Sequence, residues 1–415
     1  MENWNNSVPK AAFDRGFVGI KSQVIVGIDS IGKSDIIAAG EITSDFLGLA
    51  CSIPHRLYRG DFKKIGEQCG YSTTKLNKLT AFTEFEYDQV FARSDMVLHK
   101  GKWKILELNI GSFVGGMQSA SLPRIAGINQ NFDVLEAWSL RLANHFQIRD
   151  KNIAFVGESS EIEKYSKPLS IYTEQLQHHV NTEVLLIGAS ELEWTGSQLL
   201  CRGRAIDIVY CLFDINTLER HAKEFHPLMS AVSFGAVKCP MSPLYKSVAN
   251  KGMLALLWKL RDGRILTEKE CELIENHIPH TYWVERSNAA ALVSQQERLV
   301  LKPVDGHCGE DVVCGRELTR SDWLKAIDDA CNRSPRQFVA QLYIESDPIM
   351  VRSVDVNMRL TNELSRVVWG TFVFGQEFLG MYLRSRSCGE TAVINAGTGA
   401  GTGPLPTDVL LAGLE

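Results

Sequence analysis

Apolar and polar positions along this chain recur in two rhythms, and the change from one to the other marks its elements. Val24-Ile-Val-Gly-Ile-Asp29 is a strand pattern, and Thr74 to Ala92 carries a largely helical spacing. Met96-Val-Leu98 and Ile105-Leu106 flank Lys100-Gly101-Lys102, which predicts a hairpin centred on Gly101. Near Asn152 the pattern changes. Ile153-Ala-Phe-Val-Gly157 is a buried strand, a helical stretch runs on through His179, and Val184-Leu-Leu-Ile-Gly188 and Ala205 to Tyr210 are two further strands. Strands alternating with helices predict a small parallel α/β unit. From Ser242 a helix carries Asn250-Lys251-Gly-Met-Leu-Ala-Leu-Leu-Trp258. A second helix covers Thr267 to Asn276 and stops at Ile278-Pro279. Trp283 to Ser387 is strand-rich, with one helix over Ser321 to Cys331. No internal repeat and no low-complexity linker interrupts this order.

With 415 residues, 45% of them hydrophobic, the chain can bury a large core and is expected to form two or three closely associated subdomains. A net charge of −5 gives no basic signature, so nucleic acid is not an expected partner. The opening Met1-Glu-Asn-Trp lacks the basic start of a secretory leader. No apolar run approaches the roughly 18 residues of a membrane span, so no membrane partner is expected. The ten cysteines are dispersed without a Cys-x-x-Cys pair, which points to neither a zinc ribbon nor a disulfide framework. The expectation is a reduced, cytoplasmic protein.

The candidate chemistry begins in the hairpin. If it is symmetric about Gly101, Asp95 faces Glu107 and Arg93 faces Asn109, with all four side chains on one face. Opposed carboxylates repel unless a cation lies between them, and a hard divalent ion liganded by carboxylate and amide oxygens would supply that charge. The alternative is a solvated polar face on an ordinary hairpin. Beyond it, Gly111-Ser112-Phe-Val-Gly-Gly-Met-Gln118 is a glycine-rich turn.

A second motif lies two hundred residues on. Leu299-Val-Leu-Lys302-Pro303 is a strand ending in lysine, and Gly306 and Gly309 punctuate the loop before Val312-Val313. Backbone amides of such a flap can cover phosphates while the lysine supplies a point charge. It is no P-loop, and no G-x-G-x-x-G follows the strand at Ile153. The plain alternative is a hairpin turn with a surface lysine. Phe338 to Glu345 is an apolar strand that can offer backbone edges to an adenine and an acid to a ribose, or is simply a buried strand. Asp355 and Asn357 share one face of Val354 to Arg359, and Arg384 and Arg386 share another strand face. Arginines in a cleft bind carboxylate or phosphate in bidentate fashion, although at strand ends they are also commonly solvated. Gly397 to Gly403 has no helix pattern behind it and is expected to be a mobile loop or lid.

Taken together, these residues resemble the ATP-grasp family, in which two α/β lobes hold ATP between them. Lys251 looks like its first lysine and Lys302 like its second. Gly306 and Gly309 lie in its mobile loop, and Gln341, Tyr343, Ile344 and Glu345 look like its adenine hinge. Arg93-x-Asp95 and Glu107-x-Asn109 match its closing motifs but come first, the mark of a circular permutation. The order is similar to the permuted branch that includes the synthetase part of glutathionylspermidine synthase and some natural-product peptide ligases. The hinge starts with Gln341 where an acid is common, His307-Cys308 replace glycines in the loop, and the first 70 residues match no known pattern.

The resemblance implies an α/β (α+β) ATP-grasp fold in permuted order, with a small Rossmann-like parallel subdomain. Residues 1–128 would carry the metal-binding hairpin of the C-lobe, 150–240 the small subdomain, and 241–415 the nucleotide-binding lobe and the return to the C-lobe. It further implies a carboxylate–amine ligase using ATP and Mg2+ through an acyl phosphate, acting on an amino acid or short peptide in specialised metabolism. Asp95, Glu107 and Asn109 would hold the metal, and Lys251 and Lys302 the phosphates. Arg93 would stabilise the transferred phosphoryl group, and Ser112, Arg359, Arg384 and Arg386 would face the substrate. Its partners would be small-molecule carboxylate and amine substrates, and homodimers are frequent among such enzymes. Three alternatives stay open: transfer to a carrier-protein thiol, with Lys63-Lys64, Lys75 and Lys78 as a thin docking patch; a small-molecule kinase; and a nucleotide-binding protein without catalysis.

Overall fold

Alternating and β-branched runs become strands where one face can be buried, and seventeen strands form four sheets among the described residues. The structure is a computed structural model that describes residues 2–406 apart from positions 20, 30, 85, 113, 131, 307–310, 334–336 and 395–398. In chain order the strands are β1 (Val24–Ile28), β2 (Phe91–His99), β3 (Lys102–Ile110), β4 (Ile153–Gly157) and β5 (Val184–Gly188). Three short strands follow, β6 (Leu192–Trp194), β7 (Leu199–Cys201) and β8 (Arg204–Ala205), and then β9 (Ile208–Cys211). The last eight are β10 (Thr281–Trp283), β11 (Leu299–Pro303), β12 (Val313–Cys314), β13 (Phe338–Leu342), β14 (Ile349–Val354), β15 (Leu360–Phe374), β16 (Glu377–Ser387) and β17 (Gly401–Pro404).

The largest sheet has the order β14-β1-β17-β16-β15-β2-β3, antiparallel except between β1 and β17. β14 also pairs with the first half of β15, so β14, β1, β17, β16 and β15 close into a ring. A smaller antiparallel sheet, β10-β13-β11-β12, stands beside it, and β5-β4-β9 is the parallel α/β unit. The fold is thus mixed α/β, with several sheets.

One face of the large sheet is closed by the helix Lys33–Tyr58, whose buried side chains include Ile36, Ala39, Phe46, Leu47 and Ile53. Thr43 Oγ1 lies 2.6 Å from Ser94 Oγ, and Trp103 Nε1 donates to the Asp35 carbonyl at 2.8 Å. Ser94, Met96, Trp369 and Thr371 therefore point to this helix, and the residues between them point to the opposite face. By length and composition this helix could cross a membrane, at a mean hydropathy of 1.5, which corrects the expectation that no segment approaches that test. Its glycines, serines and threonines broke the run in the sequence; in the fold it lies against the sheet.

Other expectations are corrected too. Between Thr74 and Ala92 the helix ends at Leu79, and a short 3-10 turn, Tyr87–Gln89, leads into β2. The helix foreseen from Ser242 is broken into Lys246–Ala249 and Gly252–Asp262. A β-carbon on Gly252 would stand 2.2 Å from the Cys69 carbonyl oxygen, so only glycine permits that approach. Of the strand expected over Val354 to Arg359 only Val354 is in one, ending β14; Asp355 to Arg359 turn, because the Asp355 side chain accepts from the amides of Asn357 and Arg359, both at 2.9 Å. Gly401 to Gly403 belongs to β17, buried inside the sheet, and not to a loop; Gly397 lies outside the described residues.

Candidate active site

The hairpin turn is two residues long, not three. Lys100 and Gly101 both have positive φ, 50° and 70°, as a type I′ turn requires, and Asp347 accepts from both amides. Near the turn Met96 therefore faces Ile105, one position short of the symmetric expectation. A bulge at Leu106 restores it, so that Asp95 faces Glu107 and Arg93 faces Asn109. Without the extra residue Glu107 and Asn109 would fall on the core face with Trp103 and Ile105. The bulge thus turns the acid–amide pair towards the open side of the sheet.

That side forms the wall of a cleft of about 970 Å³, counted with the solvent at its mouth, whose other wall is the β10-β13-β11-β12 sheet. Asp95 and Glu107 project into it from the hairpin, Arg366 and Arg384 from β15 and β16, and Lys302 and Gln341 from β11 and β13. Lys251 enters from the break before the helix Gly252–Asp262.

Four cations meet the two carboxylates. Arg93 Nε and Arg384 Nη2 lie 2.9 and 2.7 Å from Asp95 Oδ1, and Lys251 Nζ lies 3.1 Å from Glu107 Oε2. Lys302 is the fourth. The repulsion expected between the acids is thus relieved by protein cations, and the cluster carries a surplus of two positive charges. Burial would raise the Glu107 carboxyl, but Lys251, its hydrogen bond with Asp95, Lys302 and Arg93 hold it well below the usual carboxylate range. Burial works against the Arg93 and Arg384 charges too, and Asp95, with Tyr382 and Glu107 behind it, more than compensates in both.

Lys302 Nζ donates to Gln341 Oε1 at 2.6 Å and to the Leu106 carbonyl, in the bulge, at 3.3 Å. Gln341 is itself held by its amide donating to Thr281 Oγ1 at 3.1 Å. Burial pushes the Lys302 ammonium down to about 8; Lys251 adds to that, and Glu107 and Asp95 offset part of it. Lys251 Nζ also donates to the Gly306 carbonyl at 2.8 Å, which ties the glycine loop to the cluster.

Val97, Val300, Val312, Leu342, Ile344 and Val368 line the apolar part of the cleft, beside Tyr343. Arg366, which sequence reasoning missed, lies here: its guanidinium donates to Tyr343 Oη at 3.3 Å and to the carbonyls of Glu390 and Thr391 at 2.6 and 2.8 Å. It thereby holds the segment Ala392 to Ile394 as a third wall. The buried Nε atoms of Arg366 and Arg384 have no hydrogen-bond partner among the described residues, as donors reserved for an anion would not.

Of the expected site residues, Asp95, Glu107, Lys251, Lys302, Gly306, Gln341, Tyr343, Ile344 and Arg384 line the cleft. Arg93 adjoins it through Asp95, and Asn109 through a 3.4 Å contact with Glu107. Glu345 is turned away: its carboxylate pairs with Arg316 at 2.7 Å and its carbonyl with His99. Arg386 pairs with Glu390 beside the cleft. Arg359 is exposed in the turn between β14 and β15, and Ser112 lines a separate small pocket. Gly309 lies outside the described residues. Half of the thin lysine patch is consumed, since Lys75 pairs with Asp305 and Lys78 lies 3.7 Å from Glu219.

The oxygens of Asp95, Glu107 and Asn109, sharing one face, are a donor set suited to a hard divalent cation. A ring of cations around them suits a polyphosphate, towards which the lysines and arginines can turn.

No protein-family profile matches the chain, and no curated protein matches it in sequence. Among solved structures it is similar to D-alanyl-alanine synthetase A from Vibrio cholerae O1 biovar eltor str. N16961. The identity is 14%, over 52% of this chain and 67% of that one, with a TM-score of 0.32. A likeness at that level assigns neither family nor activity.

Proposed function

We propose that the chain is an ATP-dependent carboxylate–amine ligase of permuted ATP-grasp type. The observation that carries this is the meeting, in one cleft, of the hairpin acids with lysines from two distant segments, next to an apolar slot. In this reading Leu342 to Ile344 and the facing valines receive the base. Lys251 and Lys302 bind the phosphate oxygens, releasing Glu107 from Lys251 as they turn. Asp95, Glu107 and Asn109 would hold Mg2+, which when bound neutralises charge on the phosphates.

Arg93 and Arg384 then face the terminal phosphoryl group. A substrate carboxylate oxygen attacks that phosphorus, the bond to the bridging oxygen breaks, and ADP leaves an acyl phosphate. An amine attacks the acyl carbon, phosphate departs, and the amine gives up a proton. Arginine donors fixed in a buried site stabilise charge that grows in both steps. The Gly306 loop, tied to Lys251, would exclude water from the acyl phosphate.

The test is ADP release from Mg-ATP with pooled amino acids, peptides and polyamines, followed by product mass. A product equal to two components less water establishes the ligase. ADP release with one acceptor and a stable phosphorylated product would replace it with a kinase.

A further inference from the structure

The parallel sheet carries a second group of titratable side chains, which shares no residue with the cleft. Its middle strand is β4; the chain crosses from it to β5 on one side and later returns to β9 on the other. Where strand order reverses in this way, the carboxyl ends of the strands leave a crevice that ligands occupy. Glu158 follows β4 directly and opens the helix Ser159–Gln177, and His221 and Glu224 come from the turn after the helix Ile215–Arg220. One nitrogen of His221 and one oxygen of each glutamate all lie within 4.8 Å of one another.

The distances show what these atoms are placed for. His221 Nδ1 lies 3.8 Å from Glu158 Oε1 and 3.6 Å from Glu224 Oε2, too far in both cases for a hydrogen bond. Two donor atoms each about 2.1 Å from a shared ion are about 3.4 to 3.6 Å apart at tetrahedral to trigonal angles. The carboxylates are also held from behind, as metal ligands are. Glu158 accepts from the Ser160 hydroxyl at 2.7 Å and from the amides of Ser160 and Glu161 at 3.0 and 2.9 Å. Glu224 accepts from the Ser159 amide and hydroxyl on Oε1, which leaves Oε2 facing the ring.

Charge points the same way. The two glutamate side chains are only 9% and 17% exposed, yet among the described residues neither has a lysine or arginine within ion-pair distance. In the cleft, by contrast, four cations meet two carboxylates. Close buried anions repel unless a cation stands between them, and an imidazole supplies that charge only when protonated.

We infer that Glu158, His221 and Glu224 bind one divalent transition-metal ion, with Zn2+ the best fit, which pins the turn after Ile215–Arg220 to the end of β4. An imidazole nitrogen beside two carboxylates suits zinc, whereas Mg2+ and Ca2+ prefer oxygen alone. The His221 side chain is 39% exposed, so the ion can enter from solvent and keep water in a fourth position. The site uses no residue of the proposed ligase machinery and stands or falls apart from that reading.

The probe is Co2+, then Zn2+, added without nucleotide to the full chain after its metals are stripped by a chelator. One equivalent of Co2+ should give the visible absorption of a four-coordinate site, and Zn2+ should displace it. Glu107→Gln, in the cleft, should leave that signal unchanged. His221→Ala and Glu224→Gln should each weaken Zn2+ binding about tenfold or more in calorimetry, with far-UV circular dichroism to show that both fold. Zn2+ should also slow amide exchange over residues 221–225. No Co2+ absorption in the native chain, or absorption that survives in His221→Ala and Glu224→Gln, would overturn the site. Absorption lost in Glu107→Gln instead would put the ion in the cleft and overturn it equally.

Discussion

Lys302 Nζ donates its shortest hydrogen bond, 2.6 Å, to a neutral partner, the side-chain oxygen of Gln341. An acid at that place would neutralise the lysine; the amide orients it and leaves its charge for a ligand. The consequence is opposite pH trends. With Lys302 pushed down to about 8 from the ordinary 10.5, the unfolded chain binds the extra proton between those values, so stability rises with pH across that window. If the cleft binds a nucleotide as proposed, its affinity, which needs the ammonium, should fall across the same window. Calorimetry with a non-hydrolysable ATP analogue from pH 7 to 10 should show weakening towards tenfold per unit above 8, with proton uptake on binding. Gln341→Glu should move the fall upwards and weaken binding at pH 7.

Glu107 and Lys302 approach one another across the cleft from different sheets, and each contributes a charge that the other helps to set. Glu107→Gln and Lys302→Ala are each expected to reduce ATP-dependent turnover at least a hundredfold, about 3 kcal/mol of transition-state stabilisation. Steady-state ADP release checks this, with far-UV circular dichroism to show that both variants fold.

Asp95 is a buried anchor for two arginines, Arg93 and Arg384. Replacing it with a neutral group leaves two guanidinium ions without their counter-charge. Asp95→Asn should therefore cost about 3–5 kcal/mol of stability in urea unfolding. Arg384→Met in that background should recover part of the loss, which a purely catalytic Asp95 would not predict.

The hairpin pairing was legible because Gly101 marks the turn and the period of two fixes which residues share a face. The bulge was not, since Leu106 is as apolar as Ile105 before it and only its carbonyl, facing Lys302, distinguishes it. Asp355 and Asn357 alternate as strand residues do, but the Asp355 side chain captures two backbone amides and makes a turn instead. Arg366 gave no signal because its neighbours Ser365 and Val367 carry no motif; its role comes from a partner segment more than twenty residues away. Lys251 was found within a helical pattern, yet it reaches the cleft because that helix is broken beside it.

Arg366 joins Tyr343 to the Glu390 and Thr391 carbonyls with one planar fork. Arg366→Ala should free residues 390–394, seen as faster amide exchange there, and weaken nucleotide binding about tenfold. Arg366→Lys should not restore either property, because one ammonium cannot reach a phenol and two carbonyls together.

Gly370 lies between Asp95 on β2 and Tyr382 on β16, in the floor of the site. Nothing in its backbone demands glycine; what matters is room. A β-carbon there would stand 2.1 Å from Tyr382 Cε1 and 3.1 Å from Arg93 Cδ. The Tyr382 ring in turn lies under both arginines, 5.4 Å from the Arg93 guanidinium and 5.3 Å from that of Arg384. A displaced ring therefore displaces the two cations that face the phosphoryl group in the proposed reaction. Gly370→Ala should cost about 1–3 kcal/mol of stability through overpacking, and should lower turnover more than nucleotide affinity. Tyr382→Leu removes the obstructing ring, so the stability cost of Gly370→Ala should shrink in that background. A double-mutant cycle by urea unfolding measures the difference, and an unchanged cost would show that the glycine is not there to make room for the tyrosine.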